Sequence, residues 1–328
     1  MNPNGLDIVA IGDAIVDVIA SCEDTFLRER GLEKGSMRLL SVDEARELYF
    51  AIPAAREISG GSAANSMAGA SALGLRTAFI GQVASDQLGA IFAHDMRSLG
   101  VRFETSPIDA PPPTGMCMIL VTPDAQRTMS TSPGASYELT PSALDAGLVR
   151  SAEVTFLEGY LWGPPGPREA MLDAARIARG AGKSIAFTLS ESLGIGDRRA
   201  GVLGMIENGL VDILFGNEHE MRDLTGCNDL SECIEMLSPK VETLIITRGP
   251  KGAIGIYGRE RAEVPAAPVS RVVDTTGAGD LFAAGFLAGR LRGRSLKACL
   301  EAGTITASEI ISHFGARPEA DLKKLVVL

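Results

Sequence analysis

Aromatic residues are scarce in this chain, 5% of 328, with one tryptophan, Trp162. Histidine is scarcer still: His94, His219 and His313 lie far apart, so no run of metal-ligand spacing exists. The five cysteines, Cys22, Cys117, Cys227, Cys233 and Cys299, are odd in number and scattered, with no Cys-x-x-Cys. That pattern argues against a disulfide framework and for a reducing, cytoplasmic setting. No basic leader opens the chain, and Asp13 and Asp17 interrupt its first apolar run. No stretch is long and charge-free enough to span a bilayer, which argues against a membrane role. Positive charge is short as well: a formal net charge of -10 excludes a broad nucleic-acid surface. Two phosphate-binding fingerprints are missing. The first apolar strand ends on a single Gly12, so the Gly-x-Gly-x-x-Gly of a dinucleotide reductase is absent. Gly182-Lys183-Ser184 is half of a P-loop, but Ile177 stands where its first glycine belongs, and it precedes a strand instead of following one. A nucleotide has to be gripped in another way.

What is present is an ordinary globular composition, 45% hydrophobic and 22% charged, enough for one large core. From about residue 140 to 250 apolar strands alternate with amphipathic helices. Strands are expected at Val154–Leu157, Ser184–Leu189, Val211–Phe215 and Val241–Thr247, and helices at Arg168–Ala181, Arg198–Asn208 and from Glu218. Fully apolar strands alternating with helices predict an α/β fold with a mostly parallel sheet covered on both faces. Three segments break the rhythm: Ile15–Ala20, Ser36–Ser41, and a hairpin of Met116–Thr122 with Arg127–Thr131 around Pro123-Asp-Ala-Gln126. They have no helices between them and predict a small separate sheet, a lid entered through the stiff Pro111-Pro112-Pro113 run. The expected organisation is one domain over 1–328, with a lid from about 14–42 and 102–132.

The densest signal is Asp274-Thr-Thr-Gly277-Ala278-Gly279-Asp280-Leu-Phe282, which runs into an apolar helix. Helix-initial amides lack internal partners and carry partial positive charge, so a glycine turn there can hold a phosphate. A carboxylate beside that phosphate would repel it. Asp280 therefore needs a reason to be there, and taking a proton from an attacking hydroxyl is one; capping its own helix is the plainer alternative. Near the start, Asp13, Ile15 and Asp17 share one face of an extended segment, two acids around an apolar residue, which suits a ring bearing hydroxyls. Gly60-Gly61-Ser-Ala-Ala-Asn65 precedes a small-residue helix at Ser66–Leu73 and offers close backbone approach plus an amide. Asn217-Glu-His-Glu220 reads as a capping box, and Thr247-Arg-Gly249-Pro-Lys-Gly252 as a turn between strands.

The nine-residue string, with Gly60–Asn65 in the right register before it, resembles the signatures of the PfkB family of carbohydrate kinases, which includes ribokinases, fructokinases and adenosine kinases. The resemblance implies a ribokinase-like three-layer α/β/α fold with a β-sheet lid. It implies an ATP-dependent kinase, with Asp280 as base and the amides of Gly277, Ala278 and Gly279 receiving the γ-phosphoryl charge. Gly60, Gly61, Asn65, Asp13 and Asp17 would surround the acceptor. Asn217 and Glu220 match the family's Asn-x-x-Glu and would hold Mg²⁺ through water near ATP. Thr247, Gly249 and Gly252 would meet the nucleotide. Val269, Asp274 and Thr276 mark a region that holds a monovalent cation in several relatives, so K⁺ is an implied activator. Arg127 of the lid would reach a transferred phosphoryl, against the plainer reading of an exposed arginine.

For the acceptor, Gly12-Asp-Ala-Ile-Val-Asp17 and Gly60-Gly-Ser-Ala-Ala-Asn-Ser66 look most like the adenosine-kinase branch, with Tyr160 or Trp162 to stack on a purine. Glu158 stands where that branch has a small residue. Ribose, fructose or a related sugar is the runner-up acceptor. A non-catalytic nucleotide-binding protein on the same fold is the alternative of another class. Monomer and homodimer both suit an exposed lid sheet.

Overall fold

A computed structural model describes residues 5–124, 126–189 and 197–327. Residues 1–4, read above for a leader, and Ala125, in the expected hairpin turn, lie outside the described residues. The strands are β1 (Leu6–Ile11), β2 (Ile15–Ser21), β3 (Met37–Leu39), β4 (Ala55–Ser59), β5 (Thr77–Ile80), β6 (Val101–Phe103), β7 (Thr114–Val121), β8 (Arg127–Gly134), β9 (Ala152–Glu158), β10 (Ser184–Thr188), β11 (Ile213–Asn217), β12 (Thr243–Thr247), β13 (Ala253–Tyr257) and β14 (Glu260–Val264).

Nine of them make one sheet in the order β14-β13-β12-β11-β10-β9-β1-β5-β6. Its pairings are parallel except β12–β13 and β13–β14. The inner strands read as unbroken apolar runs because both faces are covered. On β1, Ile8 and Ala10 enter one hydrophobic core while Val9 and Ile11 enter the other. The three-layer α/β/α arrangement expected from the sequence is thus present.

The remaining five strands form the second sheet, β3-β8-β7-β2-β4. It includes all three segments that broke the helix–strand rhythm. Its edge strand β4 lies outside both ranges given for the lid; Arg56 and Glu57 hide its strand character in the sequence, Arg56 being exposed there and Glu57 half-buried. β6, inside the second range, pairs with β5 in the large sheet instead. Other boundaries move as well, among them β12, which starts at Thr243 and not Val241, and the helix expected at Arg168–Ala181, which spans Pro165–Gly180. β11 starts at Ile213, not Val211, because Asp212 turns to bond the backbone of Ile185, its carboxylate accepting from the amide at 2.8 Å. The helix expected from Ser66 begins at Ser62, with Gly61 as its N-cap at φ 92°.

Glycines bring three helices together. Helix Ala278–Leu291 packs on Ser62–Ala72 through Gly69, where a Cβ would stand 3.1 Å from that of Ala284. It packs on Leu296–Ile310 through Gly285, where a Cβ would lie 2.6 Å from the Ala302 carbonyl oxygen. Alanine inside a helix is intrinsically favoured over glycine by up to about 1 kcal/mol. Here the obstruction is backbone, which cannot swing aside, and overpacking of this kind costs about 1–3 kcal/mol. Gly285→Ala is therefore expected to destabilise the protein by about 1–2 kcal/mol in urea unfolding; an increase in stability would show that the helices are not in backbone contact.

Candidate active site

A cavity of about 430 Å³ lies between the two sheets. It sits at the carboxyl ends of the large sheet's strands, beside the β1–β9 boundary where the strand order reverses, the usual place for a ligand in open α/β folds. Asp13, Ile15 and Asp17 all face it, while Ala14, Val16 and Val18 enter the core, as the alternation requires. Gly61 and Asn65 line it too. Gly60 does not, but it lets the Asp17 carboxylate pass, since a Cβ there would come 2.3 Å from Asp17 Oδ1.

Asp280 is the third residue of its helix, whose N-cap is Gly277 in the left-handed region at φ 77°. The carboxylate does not cap that helix. Oδ1 accepts from Ser62 Oγ at 2.6 Å and Oδ2 from Asn65 Nδ2 at 2.9 Å, so it is held by the first turn of the neighbouring helix. Gly277 and Gly279 line the same cavity, and Gly279 has open space where a Cβ would be. Ala278 does not line it; its amide donates to the Thr275 carbonyl at 3.2 Å.

On the other side, Asn217 and Glu220 form the capping box and still face the cavity. Asn217 Oδ1 accepts from the amides of His219 and Glu220, each at 2.9 Å. Oxygen donors of this kind fit Mg²⁺ held through its waters. Thr247 lines the cavity; Gly249 and Gly252 lie outside the lining and shape the turn from β12 into β13. Tyr160 faces the cavity. Trp162 does not: it is 1% exposed and stacks edge-on against Phe187 at 5.9 Å, a packing role.

Arg127 departs from the exposed arginine of the plainer reading. It reaches from β8 to ion-pair with Asp274 and donate to Thr276 Oγ1. Asp274 also accepts from the amides of Thr276 and Gly315, each at 2.9 Å. The two side chains read as a monovalent-cation site are thus both taken up by a guanidinium, and as arranged they do not fit such an ion.

The chain matches the family model described as pfkB family carbohydrate kinase over residues 6–322. It belongs to that family. The solved structure of an adenosine kinase from Sinorhizobium meliloti is 44% identical, covering 98% of each chain with a TM-score of 0.90. That of a probable sugar kinase from Rhizobium etli CFN 42 is 43% identical, covering 97% of each with a TM-score of 0.90. A 5-dehydro-2-deoxygluconokinase of Shouchella clausii is 30% identical over 77% of this chain and 80% of its own. The protein is a phosphotransferase with an alcohol acceptor on a ribokinase-like fold. Kinases of the family generally use ATP and Mg²⁺. No helix among the described residues is long and apolar enough to cross a membrane.

Asp13, Asp17, Glu158 and Asp280 all line the cavity of this PfkB kinase. Burial pushes Asp13 up to about 6, with Ser136 beside it pulling the other way. Glu158, at the end of β9, is raised by burial and then by the nearby Asp13; its Oε2 accepts from the Ala63 amide at 2.7 Å. Asp13 Oδ1 and Glu158 Oε1 are buried without a hydrogen-bond partner. Asp280 is raised by burial, against Ser62, Asn65 and the charge of Arg317. These are acceptors waiting for donors, and several ligand hydroxyls would supply them. Sequence reasoning missed Ser62 and Arg317, and it met Glu158 only as a departure. Glu158 had a signal, its place at the carboxyl end of a parallel strand; Arg317, in an unremarkable Gly-Ala-Arg-Pro, had none.

Burial pushes Asp17 up to about 6 from 3.8, with Arg317 and Arg127 lowering it and Asp280 and Asp274 raising it. Between those two values the folded chain keeps a proton that the unfolded chain has lost, so stability falls as pH rises through the window and stays reduced above it. Asp17→Asn removes this penalty. Urea unfolding of the ligand-free protein is expected to show a gain of about 1–3 kcal/mol at pH 8 that shrinks toward pH 4. An equal gain at both pH values would assign the effect to packing instead.

Proposed function

We propose that this kinase transfers the γ-phosphoryl group of ATP to the 5′-hydroxyl of adenosine, giving AMP and ADP, with Asp280 as general base. The observation that carries the reading is the Asp280 carboxylate, turned into the cavity at the head of the Gly277–Gly279 turn and held there by a neighbouring helix. The acceptor hydroxyl gives its proton to Asp280, its oxygen bonds the γ-phosphorus, and the bond to the β-phosphate oxygen breaks. The amides of Gly277 and Gly279, where helix Ala278–Leu291 starts, face the transferred group and stabilise its charge, which is most of what phosphoryl transfer asks of a protein. Asn217 and Glu220 would hold Mg²⁺ through water, and the ion would offset phosphate charge. Thr247 faces the nucleotide. The second sheet acts as a lid that excludes water.

Support for a nucleoside comes from the 44%-identical adenosine kinase and from the cavity wall. On the second sheet Ile15, Cys117, Ile119 and Met129 present an apolar surface broad enough for a base, with Tyr160 elsewhere in the lining. Asp13 and Asp17 then take the ribose hydroxyls. One observation favours a sugar instead. Glu158 puts an additional carboxylate with an unpartnered oxygen into the acceptor side, which suits a more highly hydroxylated ring.

The test is phosphate transfer from ATP to adenosine, inosine, ribose, fructose and 2-keto-3-deoxygluconate. Preference for adenosine by kcat/KM supports the reading, and preference for a sugar replaces it. Transfer to none points to a binding protein. Asp280→Asn is expected to keep both substrates' affinities and lose about two to four decades of turnover, the usual contribution of a general base. Near-normal turnover in a folded variant would overturn the assignment.

A further inference from the structure

Resting on the reading of Asp280 as base, we infer that Arg317 is a positioning residue that acts on Asp280 through the Asn65 side-chain amide. Arg317 lies in the loop after helix Leu296–Ile310. Its Nη1 donates to Asn65 Oδ1, and its Nη2 donates to Ser59 O at 2.8 Å and Ser59 Oγ at 3.0 Å, at the end of β4. A guanidinium has donors only, so the end of the Asn65 amide that meets it must be the oxygen. The NH₂ end is then committed to Asp280 Oδ2. Without the arginine, either end of the amide could face the carboxylate, and the oxygen end would repel it. With Ser62 on the other oxygen, both lone-pair sets of Asp280 have an assigned donor, and its plane is fixed.

The charge has a second effect. The charge of Asp280 raises both Asp17 on β2 and Glu158 on β9, so these acids compete for negative charge within one cavity. Arg317 is the cation that opposes them; Asp17, Asp280 and Asp95 all lie in its field, and among the described residues it ion-pairs directly with none. It thus favours the ionised base while leaving the carboxylates open to a ligand. The loop that carries it is braced by Glu309, whose Oε1 accepts from the amides of Glu319 and Ala320 at 2.9 and 2.8 Å.

The experiment is the pH profile of kcat for wild type, Arg317→Gln and Arg317→Lys, with the acceptor that the substrate panel identifies. Arg317→Gln removes the charge, so the acid limb of the profile is expected to move to higher pH. The loss would be about 10- to 100-fold on that limb, the range seen for outer partners of functional side chains, and would shrink as pH rises. Arg317→Lys keeps the charge and should leave the limb in place with a lower plateau. KM for ATP should not change. A purely structural arginine would lower the whole profile evenly, and that result would overturn the inference. Where the glutamine variant does not fold, a cycle of Arg317→Lys, Asn65→Ser and the double variant decides. Losses in kcat that fail to add support action through Asn65, and additive losses overturn it. Asp280→Asn in the same assay separates the two readings. If it turns over normally, the base assignment fails; if it is inactive while the Arg317→Gln limb stays put, only the role of Arg317 fails.

Discussion

The close approach of two helix starts is the constraint on which the site depends. Helices Ser62–Ala72 and Ala278–Leu291 are distant in sequence, yet Ser62 and Asn65 must reach the carboxylate of Asp280. Side-chain hydrogen bonds of this length leave little tolerance, and only small residues along the shared seam allow it. Gly69 meets Leu281 and Ala284, and on the far side Gly285 and Gly303 let helix Leu296–Ile310 press against the same helix. The sheet sets where these helices begin. β1 delivers Asp13 beside Gly61, where a Cβ would strike the Asp13 carbonyl oxygen, so strand end and helix cap are in backbone contact as well.

This packing concentrates acids to a degree that folding alone would not select. Asp13, Asp17, Glu158 and Asp280 share one cavity, and burial raises every one of them. Two arginines temper the charge. Arg127 comes from the second sheet to Asp274, and Arg317 from the C-terminal loop to Asn65. Each ties the second sheet to the main body: Arg127 stands on β8, and Arg317 holds Ser59 of β4. Electrostatic relief and sheet placement are therefore the same contacts.

Much of this was legible in the sequence. Strand and helix alternation gave the large sheet, because residues buried on both faces leave apolar runs such as Leu244-Ile245-Ile246. The period-two run at Ile15–Ala20 and the hairpin gave the second sheet. Asp13, Asp17, Asn65 and Asp280 could be read because each sits at a motif whose local geometry fixes its direction. What could not be read depended on long-range pairing. Edge strand β4 is too charged to look like a strand and is recognised by its ladder with β2. Arg127 looked exposed because Asp274, its partner, is 147 residues away by position number, and Trp162 looked like a pocket residue because Phe187 was out of view. Gly249 and Gly252 have the composition of a ligand turn, and they lie outside the cavity lining where β12 reverses into β13.

Four consecutive residues near the end of the chain touch nearly every part of this assembly. The Phe314 ring lies 5.9 Å from the Arg127 guanidinium carbon, the Gly315 amide bonds Asp274, Ala316 stands against Gly277, and Arg317 grips Asn65 and Ser59. A ribosome making this protein has translated every one of the strands before it reaches them. Nascent chains shorter than that point still lack the contacts that join Arg127, Asp274, Gly277, Asn65 and Ser59 to one loop.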